Sequence, residues 1–163
     1  MRLVVFATPN VSPVELNWLE PRIIMSAPSQ DAFDVTRHYL HRSHGKLTPR
    51  TTVHNDIASP WSHGATKAME IPYAVGQLPP PNEDLRVVKA RLGQWVSLTL
   101  MPALHDTPSV NAAIVVKQDV ASLLHEFLSG SFQHPTLRYQ EARGTVVEYA
   151  FDGYMFSFIH QHA

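Results

Sequence analysis

Residues 145–160 have the sequence TVVEYAFDGYMFSFIH, in which two strand-like runs flank Asp152-Gly153. An Asp-Gly pair favours a two-residue β-hairpin turn, because both central positions of that turn need positive φ. Such a turn sets the register of the strands, with the pairs Phe151–Tyr154, Tyr149–Phe156 and Val147–Phe158. Since side chains alternate along a strand, these six residues share one face. The stretch therefore predicts antiparallel strands at Thr145–Phe151 and Tyr154–His160 with a largely aromatic face.

An amphipathic helix is predicted before this hairpin, at Gln118–Ser129. Its apolar residues recur at the spacing of one helix face: Val120, Leu123, Leu124, Phe127 and Leu128. Gly130 is placed to end the helix. We expect the apolar face of this helix to bury the aromatic face of the hairpin. That pairing leaves no cavity between them for chemistry.

The rest of the second half is interpreted as strands. They are expected at Leu85–Arg91, Gln94–Met101, Ala112–Val116 and Leu137–Glu141. The first two flank Leu92-Gly93, which is typical of a hairpin. Residues 85–163 are therefore expected to run β-β-β-α-β-β-β.

The first half is richer in proline, with ten of the thirteen prolines before residue 82. It predicts a short buried strand at Leu3–Ala7 and a helix at Gln30–Ser43, whereas residues 44–84 are expected to be loop-rich. The whole chain is predicted to be one α+β domain over residues 1–163. Its sheet is expected to be mainly antiparallel, with about two helices packed on one side. The irregular, proline-rich first half is expected to wrap the second half.

Composition narrows the classes of function. The chain has 163 residues and no cysteine, which excludes disulfides, thiolate metal sites and cysteine nucleophiles, and favours a reducing, cytoplasmic compartment. The N-terminal apolar run is too short for a signal peptide, and no stretch is long enough to span a membrane. A net charge of −1 gives no general attraction for nucleic acid. The low charged fraction, 17%, suggests that part of the surface is covered by a partner. A protein partner is expected, and a homo-oligomer is left open.

A divalent metal site is one alternative. His54, Asp56 and His63 stand close together in a predicted loop that also contains Trp61. Two imidazoles and a carboxylate can hold a metal and leave a position open for water, as hydrolytic metals require. Polar loop residues that only contact water explain the same pattern.

Two H-x-T triplets, which begin at His105 and His134, suggest a second catalytic alternative. Paired triplets of this kind resemble those of the two-histidine phosphoesterases, in which the histidines act as acid and base on a cyclic phosphate. Here the two histidines are only 29 residues apart, and each triplet contains or adjoins a proline.

The stretch 37–50 has four cations, three histidines and no acid. A phosphate, a nucleic acid or an acidic protein could bind there. The predicted binding residues are Arg37, His38, His41, Arg42 and the separate Trp61. A solvated helix end explains the same charges.

Common enzyme signatures are missing, including the P-loop, the dinucleotide-binding glycine motif, G-x-S-x-G and H-E-x-x-H. The sequence therefore favours a non-enzymatic protein-binding domain, such as a toxin-neutralising partner or a phage or assembly accessory protein, with no cofactor. The alternatives are a metal- or histidine-dependent hydrolase, and a nucleic-acid or phosphate binder that uses residues 37–50.

Overall fold

The computed structural model describes residues 2–8, 20–42, 49–61, 83–107, 110–129 and 145–162, with the backbone alone at residues 8 and 38–42. The strands are β1 (Arg2–Thr8), β2 (Pro21–Ser26), β3 (Arg50–Val53), β4 (Asn111–Lys117), β5 (Thr145–Phe151) and β6 (Phe156–His162). The helices are α1 (Gln30–Arg42), α2 (Leu85–Trp95), α3 (Met101–Asp106) and α4 (Gln118–Leu128). A 3-10 turn (Asn55–Ile57) follows β3, and a π-helical turn (Val96–Leu100) joins α2 to α3. We call the continuous segment Leu85–Asp106 the long helix.

The central strands are continuous apolar runs. Every side chain of Leu3–Ala7 and of Ala112–Val116 is buried, which is typical of parallel strands covered on both faces. The strand order is β3-β2-β4-β1-β5-β6, and the first four strands run in the same direction. β5 is antiparallel to β1, and β6 is antiparallel to β5. The prediction of a mainly antiparallel sheet is therefore wrong, because the sheet is mixed.

Helices pack on both faces of this sheet. α1 connects β2 to the next strand outward, β3, whereas the long helix leads from β3 back past β2 to β4. Crossovers between parallel strands are right-handed, so two connections in opposite directions lie on opposite faces. Gly93 of the long helix contacts Phe127 of α4, which places α4 on the face of the long helix. The prediction that the helices pack on one side is therefore wrong.

The hairpin predicted over residues 85–101 is also wrong, since these residues are helical. The carboxylate of Asp84 accepts the backbone N–H of Arg86 and caps the helix. The buried residues recur at helical spacing: Val88, Leu92, Trp95, Val96, Leu100 and Leu104. In the structure Gly93 lies where the long helix approaches α4 closely. A glycine between two apolar runs is compatible with such a contact as well as with a hairpin turn.

The described part of the first half is regular rather than irregular, and it supplies β1, β2, α1 and β3. Proline marks element boundaries there: Pro21 begins β2, Pro28 separates β2 from α1, and Pro49 precedes β3. Proline lacks a backbone N–H and cannot donate a hydrogen bond within a sheet, so it is tolerated at the start of a strand or outside it. The expected loop-rich segment contains β3 and the 3-10 turn, while residues 62–82 lie outside the described residues.

The predicted packing of α4 against the β5–β6 hairpin is confirmed. His125 of α4 and Tyr149 of β5 are both buried, with Nδ1 and the phenol oxygen 2.6 Å apart. The ring of Phe158 lies edge-on to His125 at 5.3 Å. β4 and α4 themselves lie where the sequence predicts them, whereas the strand predicted at Leu137–Glu141 falls outside the described residues.

The register predicted for the hairpin is wrong by two residues. Phe151 pairs with Phe156 and Tyr149 with Phe158, so four residues rather than two connect the strands. The Asp152 carboxylate accepts the backbone N–H groups of Tyr154 and Met155, at 2.8 Å each, and this local bonding favours the longer loop. A shift of two residues keeps the faces of the strands, which is why the aromatic packing is preserved.

Apart from β3, the described helices and strands all contribute residues to one hydrophobic core around β1 and β4. Within the described ranges, no helix combines the length and the apolar character needed to cross a bilayer.

Candidate functional site

The carboxyl ends of parallel strands are the usual place for ligands in α/β sheets. β2 leads into α1 on one face and β4 leads into α4 on the other, so a crevice is expected between these neighbouring strands. Lys117 Nζ at the end of β4 lies 3.8 Å from Asp31 Oδ2 at the start of α1. This end of the sheet is therefore the first place to look for a site.

The segment His54–Trp61, which we call the cover segment, lies across this end of the sheet. Its first backbone N–H donates to Ser26 O, at the end of β2, over 3.0 Å. Further on, Ser59 Oγ donates to Asp119 Oδ2, in the first turn of α4, over 2.5 Å. Ile57 between these two points is fully buried. The cover segment is therefore fixed to β2 and α4 and buries an apolar side chain at this end of the sheet.

Arg91 of the long helix anchors the cover segment from a further direction. Its guanidinium donates to the backbone carbonyls of Asp56 and Ala58, the second over 3.3 Å. The same guanidinium lies 3.0 Å from Glu83 Oε2, and the side chains of this ion pair are only 16% and 9% exposed. One planar guanidinium thus donates hydrogen bonds to two backbone carbonyls and one carboxylate.

His54 begins the cover segment in a half-buried position. Its Nε2 lies 2.7 Å from Thr52 Oγ1, and its ring is edge-on to the ring of Trp95 at 5.6 Å. Burial lowers the pKa of His54, and the negative charge of Asp56 partly opposes that shift. The neutral imidazole is therefore the form that the folded cover segment favours.

The predicted metal site is only partly described. His54 and Asp56 lie two residues apart on the cover segment, and the side chain of Asp56 is exposed. His63 lies outside the described residues. In the part of the chain that the structure describes, no three histidine, aspartate or glutamate side chains come close enough to hold a metal ion. The divalent-metal interpretation stays a prediction.

Only the first histidine of the two H-x-T triplets lies in the part of the chain that the structure describes. His105 is exposed on α3. Its ring lies edge-on to the rings of Tyr154 and Phe151, with centroid distances of 6.2 Å and 6.4 Å. His134 lies outside the described residues. The structure therefore places His105 beside the β5–β6 hairpin, and a catalytic pair with His134 stays a prediction.

The predicted binding patch begins on α1. Arg37 is exposed there, and its Nη1 lies 4.0 Å from Asp34 Oδ1, one helix turn away. The other helical members of the patch are described by their backbone alone: His38, His41 and Arg42. Trp61 is half-buried and packs against the hydrophobic core, so part of its ring already has a structural role.

A groove of about 470 Å³ lies near the opposite end of the sheet. The end of β5 pairs with the start of β1, which places the β5–β6 loop at the amino end of the parallel strands. The groove runs between this loop, the long helix and α4. Its lining comprises Gly93, Val96, Ser97, Met101, Phe127, Tyr154, Met155 and Phe156.

Gly93 sets how closely the two helices approach at the groove. A Cβ atom at this position would lie 3.1 Å from Cε1 of Phe127, closer than ordinary van der Waals contact. The π-helical turn begins three residues later and contributes Val96 and Ser97 to the lining. Such turns often occur at functional sites, because they change which side chains a helix presents.

The hairpin tip, Asp152–Met155, forms the outer wall of the groove. Hydrogen bonds from the backbone N–H groups of Met155 and Tyr154 lower the pKa of Asp152, so its carboxylate stays ionised and holds the loop. Gly153 has a φ of 105°, which an L side chain rarely adopts. Phe151 and Phe156 stack below the tip with ring centroids 4.5 Å apart.

The walls of the groove are mainly apolar, and three of the large lining side chains are exposed to solvent. Tyr154 is 80% exposed, Met155 57% and Phe127 38%. None of the lining side chains carries a formal charge. Contiguous exposed apolar surface of this kind marks binding sites for proteins or ligands, and methionine adapts its shape to an apolar partner. The groove is suited to binding rather than to acid–base or nucleophilic chemistry.

Sequence reasoning did not find the groove. The groove could be predicted only if residues 85–106 were predicted to be helical, because only a helix brings Gly93, Ser97 and Met101 to the same face. The available signal was Asp84 as a cap, followed by apolar residues at helical spacing.

No protein-family model matches this chain, and no curated protein shows significant similarity to it.

Proposed function

We propose that this chain is a protein-binding domain and that the groove beside the hairpin tip is its binding surface. The observation that carries the proposal is the exposure of Tyr154 and Met155 on a groove whose lining is uncharged. Large apolar side chains left in water on a rigid loop are typical of interface anchors. We also propose a cytoplasmic location, because a chain without cysteine does not depend on an oxidising compartment for its folding.

A protein fits this groove better than a small ligand does. Small-molecule pockets bury most of their ligand's surface within the fold. Here the outer wall is formed by side chains that are themselves 80% and 57% exposed, so a small ligand would stay largely in water. A protein surface would cover both the groove and its outer wall.

The hydrolase alternative has less support than protein binding. At the carboxyl ends of the parallel strands the cover segment buries Ile57. Neither candidate set is complete within the described residues, because His63 and His134 lie outside them. The nucleic-acid alternative depends on residues 37–50, of which Arg37 already faces Asp34. Both remain alternatives to the proposal.

The proposal can be tested by site-specific photo-crosslinking in the native host. A photoreactive amino acid replaces Met155 in one variant and Val87 in a matched control, because the two residues are similarly exposed, at 57% and 52%, and only Met155 lines the groove. We expect a discrete covalent adduct with a protein at position 155 and none at 87. The adduct should disappear when Phe127→Asp is added and circular dichroism shows an intact fold. Equal adducts at both positions, or none at 155, would contradict the proposal.

A further inference from the structure

We infer that the cover segment is a lid, and that its opening uncovers a site on the long helix that binds a small oxyanion, either a carboxylate or a phosphate. The donors of this site are the Arg91 guanidinium and the indole N–H of Trp95. The inference concerns the end of the sheet away from the groove, so it goes beyond the proposed function and does not depend on it.

Two buried N–H groups on the long helix lack an acceptor. The atoms are Nε1 of Trp95 and Nε of Arg91, and neither is accessible to solvent or hydrogen-bonded within the part of the chain that the structure describes. Trp95 as a whole is only 2% exposed. Native proteins satisfy the great majority of their buried donors, because an unpaired donor has lost its hydrogen bonds to water without replacement. The closed structure therefore leaves two donors that a ligand with acceptor atoms would satisfy.

Both side chains lie against the cover segment. The ring of Trp95 is edge-on to the ring of His54, with the centroids 5.6 Å apart. Arg91 donates to the backbone carbonyl of Ala58 over 3.3 Å and to that of Asp56. Because residues 91 and 95 are one helical turn apart, they share one face of the long helix. Opening of the cover segment therefore exposes both donors together.

The partners of Arg91 show which contacts a ligand can replace. The two backbone carbonyls belong to the cover segment, so Arg91 loses them when the segment opens. Glu83, whose Oε2 atom lies 3.0 Å from the guanidinium, precedes the long helix and is not part of the cover segment. A guanidinium binds an oxyanion more strongly than a neutral carbonyl, since the hydrogen bond is then charge-assisted on both sides. Glu83 offsets part of the positive charge, so we expect a simple anion to bind weakly.

The position of the site and the attachment of the cover segment support the same inference. Ligands in α/β sheets bind at the carboxyl ends of the parallel strands, which is the end that this segment crosses. Its backbone N–H at His54 donates to Ser26 O, and Ser59 Oγ donates to Asp119 Oδ2. Ile57 is fully buried, which makes the closed form the major one. An anion that binds only the open form has an apparent affinity reduced in proportion to the open fraction.

Titration with inorganic phosphate and, separately, with acetate tests the inference, while chloride keeps the ionic strength constant. The readout is the indole N–H signal of Trp95 in proton–nitrogen NMR spectra, which Trp95→Phe distinguishes from the signals of the other two tryptophans. We expect this signal to move downfield and to saturate with at least one of the two anions, and the anion that binds gives the ligand class. Arg91→Gln should abolish the change. Arg86→Gln is the matched control, because that side chain is 92% exposed on the same helix and should leave the titration unchanged.

The lid is tested by loosening the cover segment away from the site. Ser59→Ala removes the hydrogen bond to Asp119, so a larger fraction of molecules should be open and the apparent dissociation constant should fall at least about fivefold. Ser157→Ala, an exposed control on β6, should leave this constant unchanged. Because the anion binds the open form, a saturating concentration should also speed hydrogen exchange at cover-segment amides such as that of His54, without affecting the hairpin tip.

The absence of a saturable shift at Trp95 with either anion would overturn the inference, and so would an equal response in Arg91→Gln whose fold is intact by circular dichroism. Anion binding that slows exchange in the cover segment, or that Ser59→Ala weakens, would overturn the lid, since the anion would then bind the closed form. The titration of the wild-type chain needs no substitution, so it decides the matter even where a variant fails to fold.

Discussion

The two ends of the sheet differ in whether their large apolar side chains are buried or exposed. At the carboxyl ends of the parallel strands, the cover segment buries Ile57 completely and is fixed by hydrogen bonds to β2, α4 and the long helix. At the other end, Tyr154 and Met155 remain 80% and 57% exposed on a loop that is hydrogen-bonded to Asp152. Burial of apolar surface stabilises a fold by about 25 cal/mol per Å², so the stability of a single chain does not explain the exposed end. The comparison assigns a stabilising role to the closed end, and it agrees with the proposal that the open end binds a partner.

The largest effect that follows from this comparison is expected at Ile57. Ile57→Ala should lower the free energy of unfolding by about 2–5 kcal/mol, because a fully buried aliphatic side chain is lost and a cavity remains. Met155→Ala, at the open end, should change it by no more than about 0.5 kcal/mol. Urea denaturation of both variants at a concentration where the chain is monomeric gives the two values. Similar losses at both positions would remove the distinction between the ends.

A smaller effect is expected at Ser59, which ties the cover segment to α4. Ser59→Ala should cost about 1–2 kcal/mol, since it removes a hydrogen bond to a charged, partly buried group and leaves Asp119 Oδ2 without it. Ser157→Ala is the control, because that serine is exposed on β6 and should give no measurable change. Hydrogen exchange should also become faster at the amides of the cover segment and remain unchanged in the hairpin tip. Equal acceleration at both ends would mean that the cover segment does not open on its own.

The same two ends differ in how far the sequence predicts them. α4 and the antiparallel strands were predictable, because the helical spacing from Val120 to Leu128 and the strand runs around Asp152-Gly153 are local patterns. The relative direction of the central strands was not predictable. A continuous apolar run such as Ala112–Val116 fits a buried strand that is either parallel or antiparallel to its neighbours. Direction depends on which strands become neighbours, and that is decided by contacts far apart in the chain.

The candidate site was even less predictable. His54 was predicted as a metal ligand from its residue type, whereas in the structure its ring lies beside Thr52 and Trp95, the second of them forty-one residues away. The groove combines Gly93, Phe127 and Met155 from three separate elements, and none of these residue types suggests function by itself. Exposure is a property of the assembled fold, which explains why a sequence pattern could not distinguish Met155 at the surface from a core methionine.

A still smaller effect, of opposite sign, is expected at Gly93. Gly93→Ala removes a flexible residue from the interior of a helix, which stabilises by about 0.5–1 kcal/mol where the new methyl group fits. The new Cβ would lie 3.1 Å from Cε1 of Phe127, but that ring is 38% exposed and is free to move outward by a few tenths of an ångström. We therefore expect a small gain in the free energy of unfolding, measured by urea denaturation. A loss of more than about 1 kcal/mol would show instead that Phe127 is held firmly against the long helix.

The smallest effect is expected from the protonation of His54. Its pKa in the folded chain lies below the unfolded value of 6.5, so the folded state binds the proton less well than the unfolded state does. The contribution to stability is therefore complete above pH 6.5 and is lost as the pH falls through the folded pKa. The charge of Asp56 opposes the effect of burial, which keeps this contribution small. The chain has ten histidines, so the informative quantity is the difference between wild type and His54→Gln in denaturation experiments at about pH 5 and about pH 8.

The variant should lose less stability on acidification than the wild type, and the wild type should exchange its cover-segment amides faster in acid relative to those of the hairpin tip. The tip provides the internal reference, because the titration of Asp152 lies well below this range: its pKa is lowered from 3.8 by hydrogen bonds from the backbone. Identical pH profiles for the two proteins would mean that His54 does not gain or lose a proton as the chain folds. The closed end would then be held by Ile57, Ser59 and Arg91 without any contribution from this imidazole, and its difference from the open end would be independent of pH.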